Sequence, residues 1–316
     1  MKYQSGVKTL ILKRDRLFFP DLSKHVLLFP VLLLITSLLF SSIVCAAGGK
    51  VEALQMPAWL ERNGTLSALK PGTELQSGDT VKTGPNSRLL LRMDEGSLVK
   101  LGENAVLDFD TLIPADKEQG IFEAALNLVK GAFRFTTSVL GKKRRRQVDV
   151  RIGSITAGIR GTDIWGSSKI DKDVLCLIEG KITAQNQGEA EFIMEDPLSF
   201  YIVPKNKPAL PVAPVPETKL AKWADETELQ AGMGIVSVDG QWAVNLMSIA
   251  NVSSARPILA SLTAAGYAAK IETAIVNGKN WYRLRVSGFK TREDARAFAV
   301  GIDGSFGVSR PWIVKF

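Results

Sequence analysis

The chain has 316 residues and a formal net charge of +8, but that charge is local. Residues 1–49 carry about +4, the run Lys142-Lys143-Arg144-Arg145-Arg146 carries +5, residues 242–316 carry +6, and the remainder sums to about −7, so the basic composition does not describe a nucleic-acid-binding surface. The single histidine, His25, and one of the two cysteines, Cys45, fall within the first 49 residues; the rest has no Ser-His or Cys-His pair, no His/Cys set for zinc and no disulfide, and no catalytic residue, metal or cofactor is predicted.

A basic stretch (Lys8, Lys13, Arg14, Arg16, Lys24) precedes the apolar run Val26 to Phe40, and Ala46 and Ala47 offer a small-residue exit before Gly48. This is the pattern of an export signal, and the flanking charge keeps its start in the cytoplasm. Val44, standing where a small residue would precede a lipidated Cys45, argues against a lipoprotein. Val26 to Ala47 is also long enough to cross a bilayer, since about 20 residues suffice. Residues 1–49 therefore read as a cleaved signal sequence or as an anchor in the inner membrane, and both place the bulk of the chain in the periplasm or cell envelope.

Residues 51–203 read as a β domain. Short apolar-alternating runs (Arg88–Met93, Ser97–Leu101, Val106–Phe109) are separated by the turn signals Pro71-Gly72, Ser77-Gly78-Asp79, Gly84-Pro85-Asn86 and Asp94-Glu95-Gly96, which predicts a compact all-β sandwich or solenoid-like fold. Leu126 to Val129 has partly helical spacing and reads as a short helical insertion. The run Lys142 to Arg146 reads as a solvated loop tip between strands, and Cys176, inside Val174 to Ile178, as a buried strand cysteine. Four segments, Leu75 to Gly84, Leu89 to Leu101, Lys130-Gly-Ala-Phe-Arg-Phe135 and Ala157-Gly-Ile-Arg-Gly-Thr-Asp163, resemble a FecR-like domain from about Leu60 to Leu177. The resemblance implies sensing or protein interaction. Arg160 is expected to brace neighbouring strands, with Gly161 serving a turn or close backbone approach. Only about 25 residues precede the apolar run, too few for the cytoplasmic anti-sigma segment of the best-known relatives, so sigma-factor control is not implied.

Pro204, Pro208, Pro211, Pro214 and Pro216 predict a stiff, extended spacer, and the charged stretch Glu217 to Leu229 a short helix, so residues 204–240 read as a linker between independent domains.

Residues 241–316 contain a duplicated unit. Trp242 and Trp281 each open a strand-like run, each run is followed by an Ala-Arg pair (Ala255-Arg256, Ala295-Arg296), and each unit closes on Ile-Val (Ile275-Val276, Ile313-Val314). Ala255, Ile258, Leu259 and Leu262 fall at i, i+3, i+4 and i+7, as do Ala295, Phe298, Ala299 and Ile302, which predicts two helices packed on one face of a four-stranded antiparallel sheet. Ser253 or Ser254 is the expected cap of the first helix, with Pro257 in its opening turn, and Thr291 with Asp294 a capping box for the second. The other sheet face is left bare. Trp281, Arg283 and Arg285 alternate on it, while Tyr282, Leu284 and Val286 point inward. An indole offers a flat platform to a pyranose ring and a guanidinium grips a carboxylate in bidentate fashion, a combination suited to an acidic sugar.

The duplicated unit, with Tyr282 to Phe289, resembles a SPOR domain, a βαββαβ module with an RNP-like α+β fold. The resemblance implies binding of peptidoglycan glycan strands stripped of stem peptides, material enriched at division septa, through the open face. Carried over by position, the ligand residues are Asn245, Ser248, Trp281, Arg283 and Ile313; Asn245 replaces the usual Gln, and Met247 stands where a Gly is usual. The expectation is a multidomain, non-enzymatic envelope protein with an all-β FecR-like domain and a glycan-binding SPOR domain, whose partners are glycan strands and envelope or division proteins, with no nucleic acid. Two alternatives are a signalling protein localised by its SPOR domain and, less favoured because the histidines are missing, a wall-remodelling enzyme. Asp and Glu are plentiful enough for a carboxylate-pair glycosidase, but no arrangement in sequence singles out such a pair.

Overall fold

The computed structural model describes residues 47–115, 120–137 and 145–316. The expected leader, with His25 and Cys45, lies outside the described residues, as does most of the basic run.

Two strand layers form the β domain, and one long strand, Ile121–Thr136, belongs to both. Its first half pairs antiparallel with Val106–Ile113 and parallel with Arg145–Ile152, in the layer that continues through Ile155–Ile159, Ile182–Asn186 and Phe192–Met194. Its second half, from Gly131, pairs with Asp163–Ser168 and Leu98–Leu101, in the layer that holds Gly49–Gln55, Arg88–Met93, Lys172–Glu179 and Ser199–Pro204. Period-two alternation turns one side of each strand inward. Leu107, Phe109, Phe122, Leu126, Val150 and Ile155 of the first layer meet Val51, Leu91, Val99, Phe133, Phe135 and Leu175 of the second in one buried cluster.

The sandwich expectation holds, and the helical insertion does not. Leu126 and Leu128 are buried strand residues, because two flanking strands satisfy both backbone edges of the segment and a helix there would leave those edges unpaired. The basic run is not wholly a loop tip either. Arg145–Ile152 is a strand, and Arg146 sits beside the buried Glu95 carboxylate at 3.8 Å. Arg160 is exposed in the bend after Ile155–Ile159 and makes no hydrogen bond or ion pair among the described residues. The bracing falls to the neighbouring Thr162: its N–H donates to Thr137 Oγ1 (3.1 Å) and its carbonyl accepts from Thr137 N–H (3.0 Å). Gly161 turns the chain at φ +142°, a conformation rarely open to a side chain.

The Pro-rich spacer is docked rather than free. Ala213–Pro214 pairs with Ser199 and Phe200, and helix α1 (Glu217–Thr227) lies on the outer side of the second layer, where Trp223 stacks on Trp165 with ring centroids 4.6 Å apart. Val215 and Trp223 cover a second apolar cluster of Ala132, Trp165, Val174 and Cys176. Proline stiffness is a local property, whereas that exposed aromatic and aliphatic face gives the linker something to bury against.

The C-terminal module has the expected arrangement. Its four antiparallel strands run in the spatial order Trp312–Lys315, Trp242–Ile249, Lys279–Phe289, Lys270–Val276, and helices α2 (Val252–Ala264) and α3 (Arg292–Ile302) pack on one side. Asn251, rather than either serine, caps α2 by accepting from Ser253 N–H at 2.9 Å, which puts Pro257 beyond the opening turn. Thr291 caps α3 as predicted, its hydroxyl accepting from Asp294 N–H at 3.0 Å. The modules share structure: Ile235–Ser237 pairs with Gly49–Gln55 on one edge, and its Val236 pairs with Phe289 on the other. Trp59 Nε1 donates to Ala264 O (2.9 Å) and Ala58 N–H to Gly266 O (3.1 Å). Gly266 has φ +81°, and a Cβ there would fall 2.7 Å from the Trp59 ring, so this contact needs glycine.

Candidate functional site

Directly opposed residues of an antiparallel pair share a face, so register assigns each side chain of the C-terminal sheet. Val244, opposite Val286 and Ile313, faces the helices. Asn245, opposite Arg285 and Trp312, faces away from them, as does Ser248, opposite Arg283. On the far strand Ala274 stands opposite Trp281, Glu272 opposite Arg283 and Lys270 opposite Arg285. The face turned from the helices thus carries Asn245, Ser248, Lys270, Glu272, Trp281, Arg283, Arg285 and Trp312.

A bulge shapes this set. Pairing steps from Asn245↔Arg285 to Met247↔Leu284, leaving Leu246 without a partner, so Met247 joins Leu284 on the helix side while Ser248 returns to the open face. The methionine standing in place of the family's usual glycine therefore packs against the core and does not obstruct the face. Ile313 is the one predicted ligand residue on the wrong side. It opposes Val244 and packs against the core, because the last strand pairs in a register that turns Trp312 outward, with 39% of its surface exposed. Trp312 and Glu272 were missed from the sequence; the alternation Trp312-Ile313-Val314 was a usable signal for the first once the strand's register was known.

Polar groups on the face are linked and in part unmet. Arg285 Nε donates to Asn245 Oδ1 at 3.0 Å and its Nη1 lies 2.7 Å from Glu272 Oε2, while Lys270 Nζ reaches Glu272 Oε1 at 2.6 Å. Arg285 is thereby held in place, and because Glu272 is shared with Lys270 the three groups keep a net positive charge. Asn245 is fully buried, yet its Nδ2 has no acceptor, and Arg283 Nε is likewise buried without one. A buried donor left without an acceptor costs about 1–3 kcal/mol, and both atoms lie below the surface of the face, as part of its floor. The face has a guanidinium at Arg283 and the indoles of Trp281 and Trp312. Cys176 offers no competing nucleophile: burial pushes its thiol up to about 12, with the Asp163 carboxylate adding to the effect, and it stays protonated at neutral pH.

Residues 239–315 match the SPOR domain family, and residues 79–183 match the FecR protein family. The chain carries a FecR-like domain and a C-terminal SPOR domain. No curated protein matches it. Two crystal structures of a Parabacteroides distasonis ATCC 8503 protein, described provisionally as an anti-sigma factor, are similar at 14% and 13% identity; both cover 75% of this chain, with 99% and 98% of their own length aligned and a TM-score of 0.37. SPOR domains bind peptidoglycan, which ties this chain to the cell envelope, and FecR and SPOR domains are binding and regulatory modules rather than enzymes.

Proposed function

We propose that this chain is an exported, non-catalytic envelope protein whose SPOR domain holds peptide-stripped glycan strands at the septum while its FecR-like domain engages a protein partner. The observation that carries the reading is the placement of Trp281, Arg283 and Trp312 together on the sheet face opposite the helices. Removal of the stem peptide bares the lactyl carboxylate of muramic acid, an acceptor suited to the Arg283 guanidinium, and the indoles of Trp281 and Trp312 offer stacking surfaces to the sugar rings. Asn245, Ser248 and Arg285 complete the polar floor. Ile313 supports the face from beneath.

Co-sedimentation of the full chain with murein sacculi tests this. Amidase-treated sacculi are expected to retain far more protein than intact ones. Trp281→Ala and Arg283→Ala each remove one stacking or charge-assisted contact worth about 1–3 kcal/mol, a loss of roughly 5- to 150-fold in affinity, with melting unchanged. Leu284→Ala, which empties a core position, is expected to act through stability instead, at about 2–5 kcal/mol. Equal pelleting with both kinds of sacculi refutes the preference for stripped glycan.

The strand Ile235–Ser237, hydrogen-bonded to both modules, favours a second reading in which glycan occupancy is signalled to the FecR-like domain. Stripped glycan is then expected to slow amide exchange in Gly49–Gln55. Unchanged exchange there leaves simple localisation as the better account.

A further inference from the structure

The two indoles of the open sheet face stand at opposite corners of it. Trp312 lies on one edge strand, in the row that continues through Asn245 and Arg285 to Lys270 on the other edge. Trp281 shares a strand with Arg285, so it lies two strands over from Trp312 and four residues along, in the row of Ala274. Neighbouring strands are about 4.8 Å apart and rise about 3.3 Å per residue, which separates the indoles by roughly 10 Å across the sheet and roughly 13 Å along it, or about 16 Å on the diagonal. The row between them holds Ser248 and Arg283. Trp281 is half-buried and Trp312 is 39% exposed, so both corners are open to a ligand.

We infer that Trp312 is a distal sugar subsite, and that the face takes a glycan of four rings laid on this diagonal, with one terminal ring on Trp281 and the other on Trp312. The inference rests on the glycan reading above and adds the length and direction of the ligand. A β-1,4-linked pyranose advances its chain by about one strand spacing, ~5 Å, so rings that stand about 16 Å apart are separated by three linkages. A disaccharide reaches one indole only. The second ring from Trp281 then falls between Arg283 and Ser248, and charge sets which sugar it is. Arg283 makes no ion pair among the described residues, whereas Arg285 is bonded to Glu272 and Asn245, so the free guanidinium draws the muramic acid carboxylate to that ring. Muramic acid alternates with N-acetylglucosamine along the strand. The ring on Trp281 is therefore N-acetylglucosamine and the ring on Trp312 is muramic acid. The bulge at Leu246 serves this path by turning Ser248 outward beneath it, while Lys270, Glu272 and Ala274, on the far edge strand, lie off it. A glycan running parallel to the strands over Trp281, Arg283 and Arg285 would bypass Trp312.

Calorimetric titration of the full chain with two stripped glycans, the disaccharide N-acetylglucosaminyl-N-acetylmuramic acid and its β-1,4-linked dimer, tests this. The tetrasaccharide is expected to bind about ten-fold more tightly than the disaccharide, the gain of one further stacked ring. Trp312→Ala should bring the tetrasaccharide to within about two-fold of the disaccharide, while the disaccharide itself, held at Trp281 and Arg283, binds as it does to the wild type. Trp312→Tyr keeps a flat ring and should restore most of the difference. Should Trp312→Ala fold poorly, Trp312→Leu keeps apolar bulk on the strand without a stacking surface and takes its place, with the same expectation. Trp281→Ala should weaken both lengths. A tetrasaccharide that binds no more tightly than the disaccharide in the wild type, or a Trp312 variant that loses the same factor for both, overturns the distal subsite and leaves the glycan reading standing. Failure of the wild type to bind either length overturns the two together.

Discussion

Asp173→Ala is expected to destabilise the β domain by about 3–5 kcal/mol, lowering the melting temperature by roughly 10 °C. The Asp173 carboxylate is fully buried between the layers and is met from every side: Ser154 N–H and Oγ donate to it at 2.9 and 3.0 Å, Ser168 Oγ at 2.8 Å, and Lys205 Nζ at 2.6 Å. Alanine leaves the Ser154 N–H and the Ser168 hydroxyl without an acceptor and frees a lysine only partly exposed to water. Burial by itself raises the Asp173 carboxyl pKa, but the bonds from Lys205, Ser154 and Ser168 outweigh it and hold the group below its ordinary value. A carboxylate whose pKa is lower folded than unfolded contributes stability that is fully present above the unfolded value, about 3.9, and is lost as pH falls through the folded one. Acid unfolding of the wild type should therefore have a component in the range below about pH 4 that Asp173→Ala lacks, measurable as convergence of the two melting curves with falling pH. Curves that stay parallel from pH 7 to pH 3 refute the assignment.

Asp294→Ala is expected to loosen the SPOR domain from the shared strand, at about 3–5 kcal/mol. One buried side chain does two jobs. Oδ1 accepts from Gly234 N–H and Ile235 N–H, both at 3.1 Å, and Oδ2 accepts from the Thr291 hydroxyl at 2.7 Å, completing the cap of α3. Truncation strands two buried backbone donors at the entry to Ile235–Ser237 and weakens the helix start at the same time. Asp294→Asn keeps one oxygen for the backbone donors, and the Thr291 hydroxyl can turn to accept from the new amide, so it should cost about 1 kcal/mol. Native-state hydrogen exchange separates the cases. The alanine variant should lose protection at Ile235–Ser237 and in the first turn of α3 while the β-domain strands stay protected. Uniform loss across the chain would instead mark Asp294 as part of a single folding unit.

Some of this architecture was written in short-range patterns. The stripes Ala255-Ile258-Leu259-Leu262 and Ala295-Phe298-Ala299-Ile302 set two helices on one side of a sheet, because helical period and burial are local consequences of residue spacing. The alternation of Trp281, Arg283 and Arg285 likewise fixed their common face, and the repeated unit identified the module. Spacing and turn residues marked the β domain, though not that its residues 126–129 belong to a strand; that choice fell to the two neighbouring strands that pair with them.

Contact between segments distant in the chain decided the rest. Whether Ile313 or Trp312 faces a ligand depends on the register of the last strand against Trp242 to Asn245, and a one-residue slip exchanges the two faces. The bulge at Leu246 is what allows both Asn245 and Ser248 onto the open face, and no propensity of those residues announces it. Five prolines suggested a stiff, extended linker, but the chain turns back after Pro204 and pairs Ala213–Pro214 with Ser199 and Phe200. That docking was settled by Trp223 finding Trp165, 58 positions earlier, and by the apolar outer face of a sheet that exists only after the strands have assembled. The sequence by itself determined which modules are present and which side chains lie near one another along each element. Tertiary structure alone decided which of those side chains meet, since burial and pairing across the chain are properties of the assembled sheet.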